Sequence, residues 1–332
     1  MNSSATPSAG FYDRHRTLRR LLGGYSDSRS IIFLYGLILV LVVGASFWSP
    51  SFWTEANLVD LLRSSIVVAL VAIGEMIVVV CGGIDFSIGM TAVFVGVIAA
   101  KLFTSLNGNI PITVIAALGL GVLVGLANGL LVGVNTSNAF MITFGSFFVL
   151  TGLVLVVSSA PVAGVPTSFL NLYDATVVGA LPWCVVGMFV VWIAVWMLLG
   201  RTAFGRSVYA VGGSQRTATL AGIHVRGTIL AAYALSGLFG AAAGLFILAR
   251  SGVADVTGNG LEFTAIVAVA VGGVSLFGGV GSVVGVLGGV LLLTLISNLL
   301  IIGNVSEYYQ QLVTGGIILL AVGIFRQGRR PA

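Results

Sequence analysis

The chain is a succession of apolar stretches, each about as long as a helix needs to be to cross a bilayer. They fall near 31–48, 62–81, 86–105, 112–134, 139–158, 178–199, 227–249, 262–277, 280–302 and 308–325. A helix rising about 1.5 Å per residue covers roughly 30 Å of hydrocarbon in about 20 residues. The short alternating strands of a membrane barrel do not match this pattern. Composition agrees, since 58% hydrophobic residues, 8% charged residues and a mean hydropathy of +1.13 are far from those of a soluble domain. The expected fold class is an all-α polytopic membrane protein with about ten transmembrane helices.

Lys and Arg collect in cytoplasmic loops, so the basic clusters orient the chain. Arg14, Arg16, Arg19, Arg20 and Arg29 precede the first span; Arg201, Arg206, Arg216 and Arg226 fill one long loop; Arg326, Arg329 and Arg330 come last. Six spans separate the first cluster from the second and four separate the second from the third, so all three share a side. Both termini are expected to be cytoplasmic. The expected division is a cytoplasmic segment 1–30, a transmembrane region 31–326 containing the loop 201–226, and a tail 327–332. The polar segment before the first span is longer than that of an ordinary secretory signal, so the span reads as a retained anchor.

Enzymatic chemistry has little to stand on. Cys81 and Cys184 lie in or beside apolar spans, as small reduced side chains do, and His15 and His224 are far from any carboxylate pair. No cofactor, metal or nucleic-acid partner is expected. Glycine is more informative: Gly121, Gly125, Gly129 and Gly133 recur every fourth residue, as do Gly281, Gly285 and Gly289. Each set reads as a helix face stripped of side chains for close packing.

One polar stretch interrupts this pattern. "CGGIDFSIGM", Cys81–Met90, puts Asp85 between two apolar runs. An Asp at mid-bilayer costs about 2.5–3.5 kcal/mol on the insertion scale, so it is normally paired, hydrated or functional. Two glycines weaken the helix before it, and Asp85 or Ser87 can cap the helix that begins near Ile88. The reading is a broken helix, tolerated only where protein or a water-filled cavity surrounds it. A structural cap and a cavity-lining role both remain open. "VGGVSLFGGVGS", ending at Ser282, resembles the first break and hints at an internal duplication.

Taken in order, several blocks resemble the sugar-type ABC importer permeases, the family of ribose, arabinose and xylose permeases. "VAIGEMIVVVCGGIDFSIG" is similar to its GGIDLSVG-like block. "GRTAFGRSVYAVGGSQRTATLAGI" is similar to its cytoplasmic loop, "LEFTAIVAVAVGGVSLFGGVGS" to its second glycine-rich block, and "SEYYQQLVTGGIILLAVGI" to its ending. The resemblance covers roughly residues 30–326. Glu75 departs from it, standing where members carry Met or Gln, and Ser214 replaces the Asn of a GGN element.

The resemblance implies a permease subunit in the bacterial inner membrane that moves a monosaccharide or similar polyhydroxylated solute. The implied partners are cytoplasmic ATP-binding cassette subunits, an extracytoplasmic substrate-binding protein and a second permease copy or a related permease. A Walker A motif needs a lysine for the nucleotide phosphates, and the single lysine, in "IAAKLF", is Lys101, so ATP hydrolysis is expected elsewhere. Asp85, Ser87, Glu75, Asn128 and Ser275 are the candidates for lining or supporting the path. Arg206, Thr217, Ala218 and Gly222 in the loop 201–226 are the candidates for coupling to the ATPase; the last three fall in "SQRTATLAGI", which reads as a short helix whose Ala218, Leu220, Ala221 and Ile223 look buried. Residues 159–177 form the longest outer loop, the expected contact for the binding protein. Two alternatives remain: a branched-chain amino-acid ABC permease, and a proton-coupled transporter using Glu75 and Asp85.

Overall fold

The computed structural model describes residues 28–134, 138–257, 260–306, 309–310, 312–313 and 315–316. Most of the expected span 308–325, the basic residues before 28 and those after 325 lie outside the described residues. The long helices are α1 (Ser28–Trp48), α2 (Glu55–Val80), α3 (Ile88–Ser105), α4 (Ile110–Val134) and α5 (Ala139–Val157). A short α6 (Thr167–Asp174) and a two-stranded hairpin, β1 (Thr176–Val178) and β2 (Leu181–Pro182), lead to α7 (Trp183–Arg201). Then come α8 (Ala203–Gly213), α9 (Gln215–Leu220), α10 (Val225–Ser251), α11 (Leu261–Val271) and α12 (Val283–Ile302).

Eight of these helices are long and apolar enough to cross a membrane. The difference from the expected ten lies partly in 262–277, which is not one span. It is the 11-residue α11 followed by non-helical chain. Gly273, Gly278 and Gly279 take φ of 80°, 86° and 73°, a left-handed geometry that stops a helix and that glycine adopts without a Cβ penalty.

The bundle is built around α2 and α10. Within its most apolar window α2 is 72% buried, against 17% for α1 and α5, so α2 is interior while α1 and α5 turn most of their surface outward. The helix α10 packs along α4, α2 and α3. At the α4–α10 seam the glycine stripe acts as expected: a Cβ on Gly129 would stand 2.9 Å from the Leu230 Cα, and on Gly121 or Gly125 it would run into the Gly237 or Tyr233 carbonyl. Gly133 faces open space and needs no glycine. On α12, Gly285 and Gly289 face the Gly272 and Ala268 carbonyls of the α11 segment in the same way. Gly281, expected in that stripe, precedes α12 and lies in the second break, because the helix starts only at Val283.

One end of the bundle is closed by the α3–α4 turn, α6 and the segment after α10. Val162 and Ala254 pair there as an antiparallel bridge, and the Lys101 ammonium donates to the Val157 carbonyl at the end of α5. Arg63 bridges Asp174 at 3.2 Å and lies 4.8 Å over the Tyr173 ring, while Arg250 donates to Ser64 Oγ at 3.3 Å. Burial pushes the Tyr173 phenol above its usual range, although Arg250 and Arg63 pull the other way. These contacts tie the loop 159–177, and the α6 it contains, to the spans.

Candidate functional site

The carboxylate of Asp85 is held by a buried polar network around the end of α2. That helix stops with a pair of crossed bonds: Gly82 N–H donates to the Val79 carbonyl at 2.9 Å and Gly83 N–H to Val78 at 3.0 Å. Gly82 takes φ of 91°, which turns the chain back along α2. Asp85 thereby lies beside Glu75, whose Oε1 and Oε2 accept the Asp85 N–H at 3.3 and 3.2 Å. Both carboxylates are enclosed, at 0% and 2% exposure for Glu75 and Asp85.

Asp85 then collects donors. Its Oδ1 accepts the Ser87 N–H at 3.1 Å and the Ser87 hydroxyl at 2.6 Å, and its Oδ2 accepts the Ser236 hydroxyl of α10 at 2.7 Å. Ser87 Oγ accepts from Asn128 Nδ2 of α4 at 2.8 Å, and Asn128 Oδ1 accepts from the Ser146 hydroxyl of α5 at 2.5 Å. Thr143 of α5 accepts the Phe86 N–H at 3.1 Å and donates to the Ile84 carbonyl at 2.9 Å, which also receives the Tyr233 hydroxyl at 3.2 Å. The chain at the break therefore has its polar groups shared out among α2, α4, α5 and α10. In a low-dielectric interior such a network fixes one arrangement, because any unpaired member is costly.

Of the expected path residues, Glu75, Asp85, Ser87 and Asn128 are brought together. Ser275 is not: it belongs to the second break, its N–H bonded to the Val280 carbonyl at 2.9 Å and its hydroxyl oxygen accepting the Phe277 N–H at 3.3 Å. Of the two capping candidates, Ser87 occupies the position just before α3 but makes no side-chain cap, while Asp85 Oδ1 accepts the N–H of Ser87 itself. Ser236, Ser146, Thr143 and Tyr233 were not singled out from the sequence. Each is a polar residue on an apolar helix, and the only local sign was that isolation.

The second break repeats the first. Gly273 N–H donates to Ala270 at 2.9 Å and Val274 N–H to Val269 at 3.2 Å, the same crossed pair as at Gly82 and Gly83. The two breaks touch, for Gly279 N–H donates to the Val80 carbonyl at 2.9 Å. Gly212, near the end of α8, fits against both; a Cβ there would collide with the Val80 carbonyl and come 2.6 Å from the Gly279 nitrogen. Tyr209 of α8 donates to the Gly281 carbonyl at 3.0 Å. A small open crevice beside this junction is lined by Gly82, Gly83, Gln215 and Tyr233, so α9 begins within reach of the first break.

The segment expected to couple is a short helix. Ser214 caps α9 by accepting the Thr217 N–H at 3.2 Å, so the departure from Asn preserves the cap. The helix ends at Gly222, φ 79°, with Ile223 N–H donating to the Ala218 carbonyl at 3.0 Å. Ala218 is buried, and Arg206, Thr217 and Gly222 are exposed. Leu220 and Ala221 were expected to be buried and are exposed, Leu220 at 83%. With only six residues, α9 turns one side inward, and that side carries Ala218. Among the described residues no group of three His, Cys, Asp or Glu converges to hold a metal.

The family model described as "Branched-chain amino acid transport system / permease component" matches residues 57–322. The chain belongs to this permease family. The ribose import permease protein RbsC of Escherichia coli (strain K12) is 37% identical to the permease over 301 residues, 89% of this chain and 92% of the relative. The D-allose transport system permease protein AlsC of the same strain is 37% identical over 302 residues, covering 88% and 91%. Its galactose/methyl galactoside import permease protein MglC is 32% identical over 310 residues, covering 88% and 92%. No solved structure matches the permease. With eight long apolar helices among the described residues, the permease is a multi-pass membrane protein.

Proposed function

We propose that this chain is the membrane-spanning permease of an ATP-driven importer for a monosaccharide or similar polyhydroxylated solute. One observation carries the reading: relatives named for ribose, allose and galactose match it over about nine-tenths of both chains. They favour a sugar over the amino acid in the family's description. The solute arrives on an extracytoplasmic binding protein that meets the loop 159–177, and ATP is hydrolysed by separate cytoplasmic subunits. A second permease copy or a related permease completes the path. The loop 201–226, the segment 1–30 and the tail 327–332 face the cytoplasm, the membrane being the bacterial inner one.

In this reading α9 is the part the ATPase subunits grip. Its exposed Leu220 offers an apolar anchor, its glycine stop at Gly222 fixes the exit angle, and Ala218 seats it on the bundle. Gly212 and Gln215 lie next to the first break, so a push on α9 bears on the junction of the two breaks. Asp85, Ser87 and Asn128 hold that junction in one shape, with Glu75 behind them, and Ser275 shapes the second break.

The test is purification of the tagged chain in mild detergent with identification of its companions, followed by uptake of labelled D-ribose, D-allose and D-galactose into liposomes. An accompanying ATPase and ATP-dependent uptake of one of the sugars is expected; uptake competed by leucine would redirect the reading to amino acids. Leu220→Glu is expected to lower ATPase recovery at least tenfold while leaving the amount of folded permease unchanged, since the rest of the chain leaves the side chain 83% exposed. Wild-type recovery in that variant would remove α9 from the docking surface.

Glu75 separates this reading from the proton-coupled one. The Glu75→Gln variant keeps an amide oxygen to accept the Asp85 N–H and loses the titrating group. Melting temperature close to wild type and at least half the wild-type uptake are expected. Loss of uptake in a folded Glu75→Gln variant, together with collapse of wild-type uptake when the proton gradient is dissipated at constant ATP, would favour a proton carrier.

A further inference from the structure

Between α9 and the two breaks stands α8. Its Val208 and Val211 are buried and seat it on the bundle. Where α8 ends, its backbone lies directly on both breaks. A Cβ on Gly278 would come 2.7 Å from the Gly212 carbonyl oxygen and 2.8 Å from the Gly82 Cα, and one on Gly279 would come 2.8 Å from the Gly213 Cα. Three chain segments thus meet backbone to backbone, and no flexible side chain stands between them to absorb a displacement.

A side chain ties the far side of this junction. Tyr209, one turn before Gly213 on α8, donates its hydroxyl to the Gly281 carbonyl at 3.0 Å. Gly281 lies just ahead of α12, which begins at Val283, so this bond sets where α12 starts relative to α8. The second break is therefore held to the end of α2 at Gly279 and to α8 at Gly281, while α8 is itself held against the end of α2 at Gly212. Contacts closed in this way resist sliding: moving α8 against either break means separating backbones or breaking the Tyr209 bond. The Tyr209 ring packs on the core, which accounts for an aromatic residue at this position. Packing does not account for the hydroxyl aimed at Gly281.

We infer that Tyr209 is a positioning residue for transport: through its bond to Gly281 and the seat of Gly212 on Val80, α8 joins the two breaks into one body that moves with the loop 201–226. The inference rests on the transport reading above and adds to it the residue that carries a displacement to the second break. Gly212 carries the same displacement to the first. Tightly packed elements shift as rigid bodies rather than deform, so the two breaks reshape the path together.

The experiment uses the permease reconstituted in liposomes with its ATPase and binding-protein partners, reading labelled D-ribose, D-allose or D-galactose moved per ATP hydrolysed. Tyr209→Phe keeps the ring and loses the hydroxyl. It is expected to lower that ratio about fivefold, the worth of one hydrogen bond, with melting temperature and ATPase recovery close to wild type. Ser207→Ala, on the same helix, removes a hydroxyl that returns to the Ala203 carbonyl and is expected to keep the wild-type ratio. A wild-type ratio in Tyr209→Phe overturns the inference, whether or not its melting temperature falls, and so does an equal loss in both variants. Spin labels test the joint movement with the bond left in place. Labels on Ala203→Cys and Phe277→Cys, both at exposed positions, are expected to keep their separation when ATP is added. The separation of Ala203→Cys from Ile115→Cys, near the start of α4, is expected to change by about 2 Å or more. An equal change in both pairs, or a change in neither, overturns the inference even where Tyr209→Phe is not recovered folded. Absence of any ATP-dependent sugar uptake in the wild type is a different result and would sink the transport reading instead.

Discussion

Asp85→Ala is expected to destabilise the protein by about 3–5 kcal/mol, since each buried donor left without an acceptor costs about 1–3 kcal/mol. Three donors lose their acceptor at once: the Ser87 N–H, the Ser87 hydroxyl and the Ser236 hydroxyl. None of them is exposed to solvent that could take over, since Asp85, Ser87 and Ser236 are all at 2% exposure or less. The break would lose its Ser236 tie to α10 and keep only that of the Tyr233 hydroxyl to the Ile84 carbonyl. Asp85→Asn should fall between alanine and wild type, because its amide oxygen can still serve Ser87 while the Ser236 hydroxyl turns to accept. Thermal melting of the purified chain in one detergent, with the yield from the membrane, checks the order wild type, Asn, Ala. A melting temperature for Asp85→Ala within a degree of wild type would mean that the network contributes nothing to holding the break.

Asn128 extends the same logic to a smaller effect. Losing Asn128 leaves Ser87 Oγ without its donor and Ser146 without its acceptor, but Ser146 keeps a second bond to the Ile142 carbonyl at 3.2 Å. The hierarchy follows from how many alternatives each partner has, and Asp85 has the partners with fewest. Structural support is thus the local role the hydrogen bonds favour for Asp85.

The sequence carried the class of the fold and the first break because both are written in local chemistry. Long apolar runs admit few structures in lipid, and a glycine pair followed by Asp and Ser cannot continue a helix smoothly. The second break was visible in outline for the same reason, yet its length was misjudged: hydropathy counts Val274, Leu276 and Phe277 as span, whereas the positive φ values of Gly273, Gly278 and Gly279 make them a loop. The partners of Asp85 were not legible. Ser236 is 151 positions away and Asn128 is 41 positions from Ser87, and nothing in an isolated Ser or Asn says which carboxylate it will meet. Glu262 was hidden for a related reason. At the head of a helix an acid is an ordinary first-turn residue, and only the folded chain puts it over Gly89.

Gly125→Val is the substitution expected to do the most damage without touching a polar group. At this position α4 and α10 meet backbone to backbone: a Cβ would run into the Tyr233 carbonyl, and its next neighbour is the Ala234 Cα at 3.0 Å. Neither atom is the end of a flexible side chain, so the helices themselves must separate. Overpacking of a tight core costs about 1–3 kcal/mol where side chains can shift, and a rigid backbone contact takes the cost above that range. The separation would also move Tyr233 from the Ile84 carbonyl and Ser236 from Asp85, one turn further along α10, so the helix seam and the polar network fail together. Gly133→Ala, on the same stripe but facing open space, should stay within about 0.5 kcal/mol of wild type. Folded yield and melting temperature of the two variants, compared side by side, test whether the stripe is a packing surface at each of its positions or only where α10 crosses it. Equal behaviour of the two variants would refute the close approach, because only one of them has a backbone in its way.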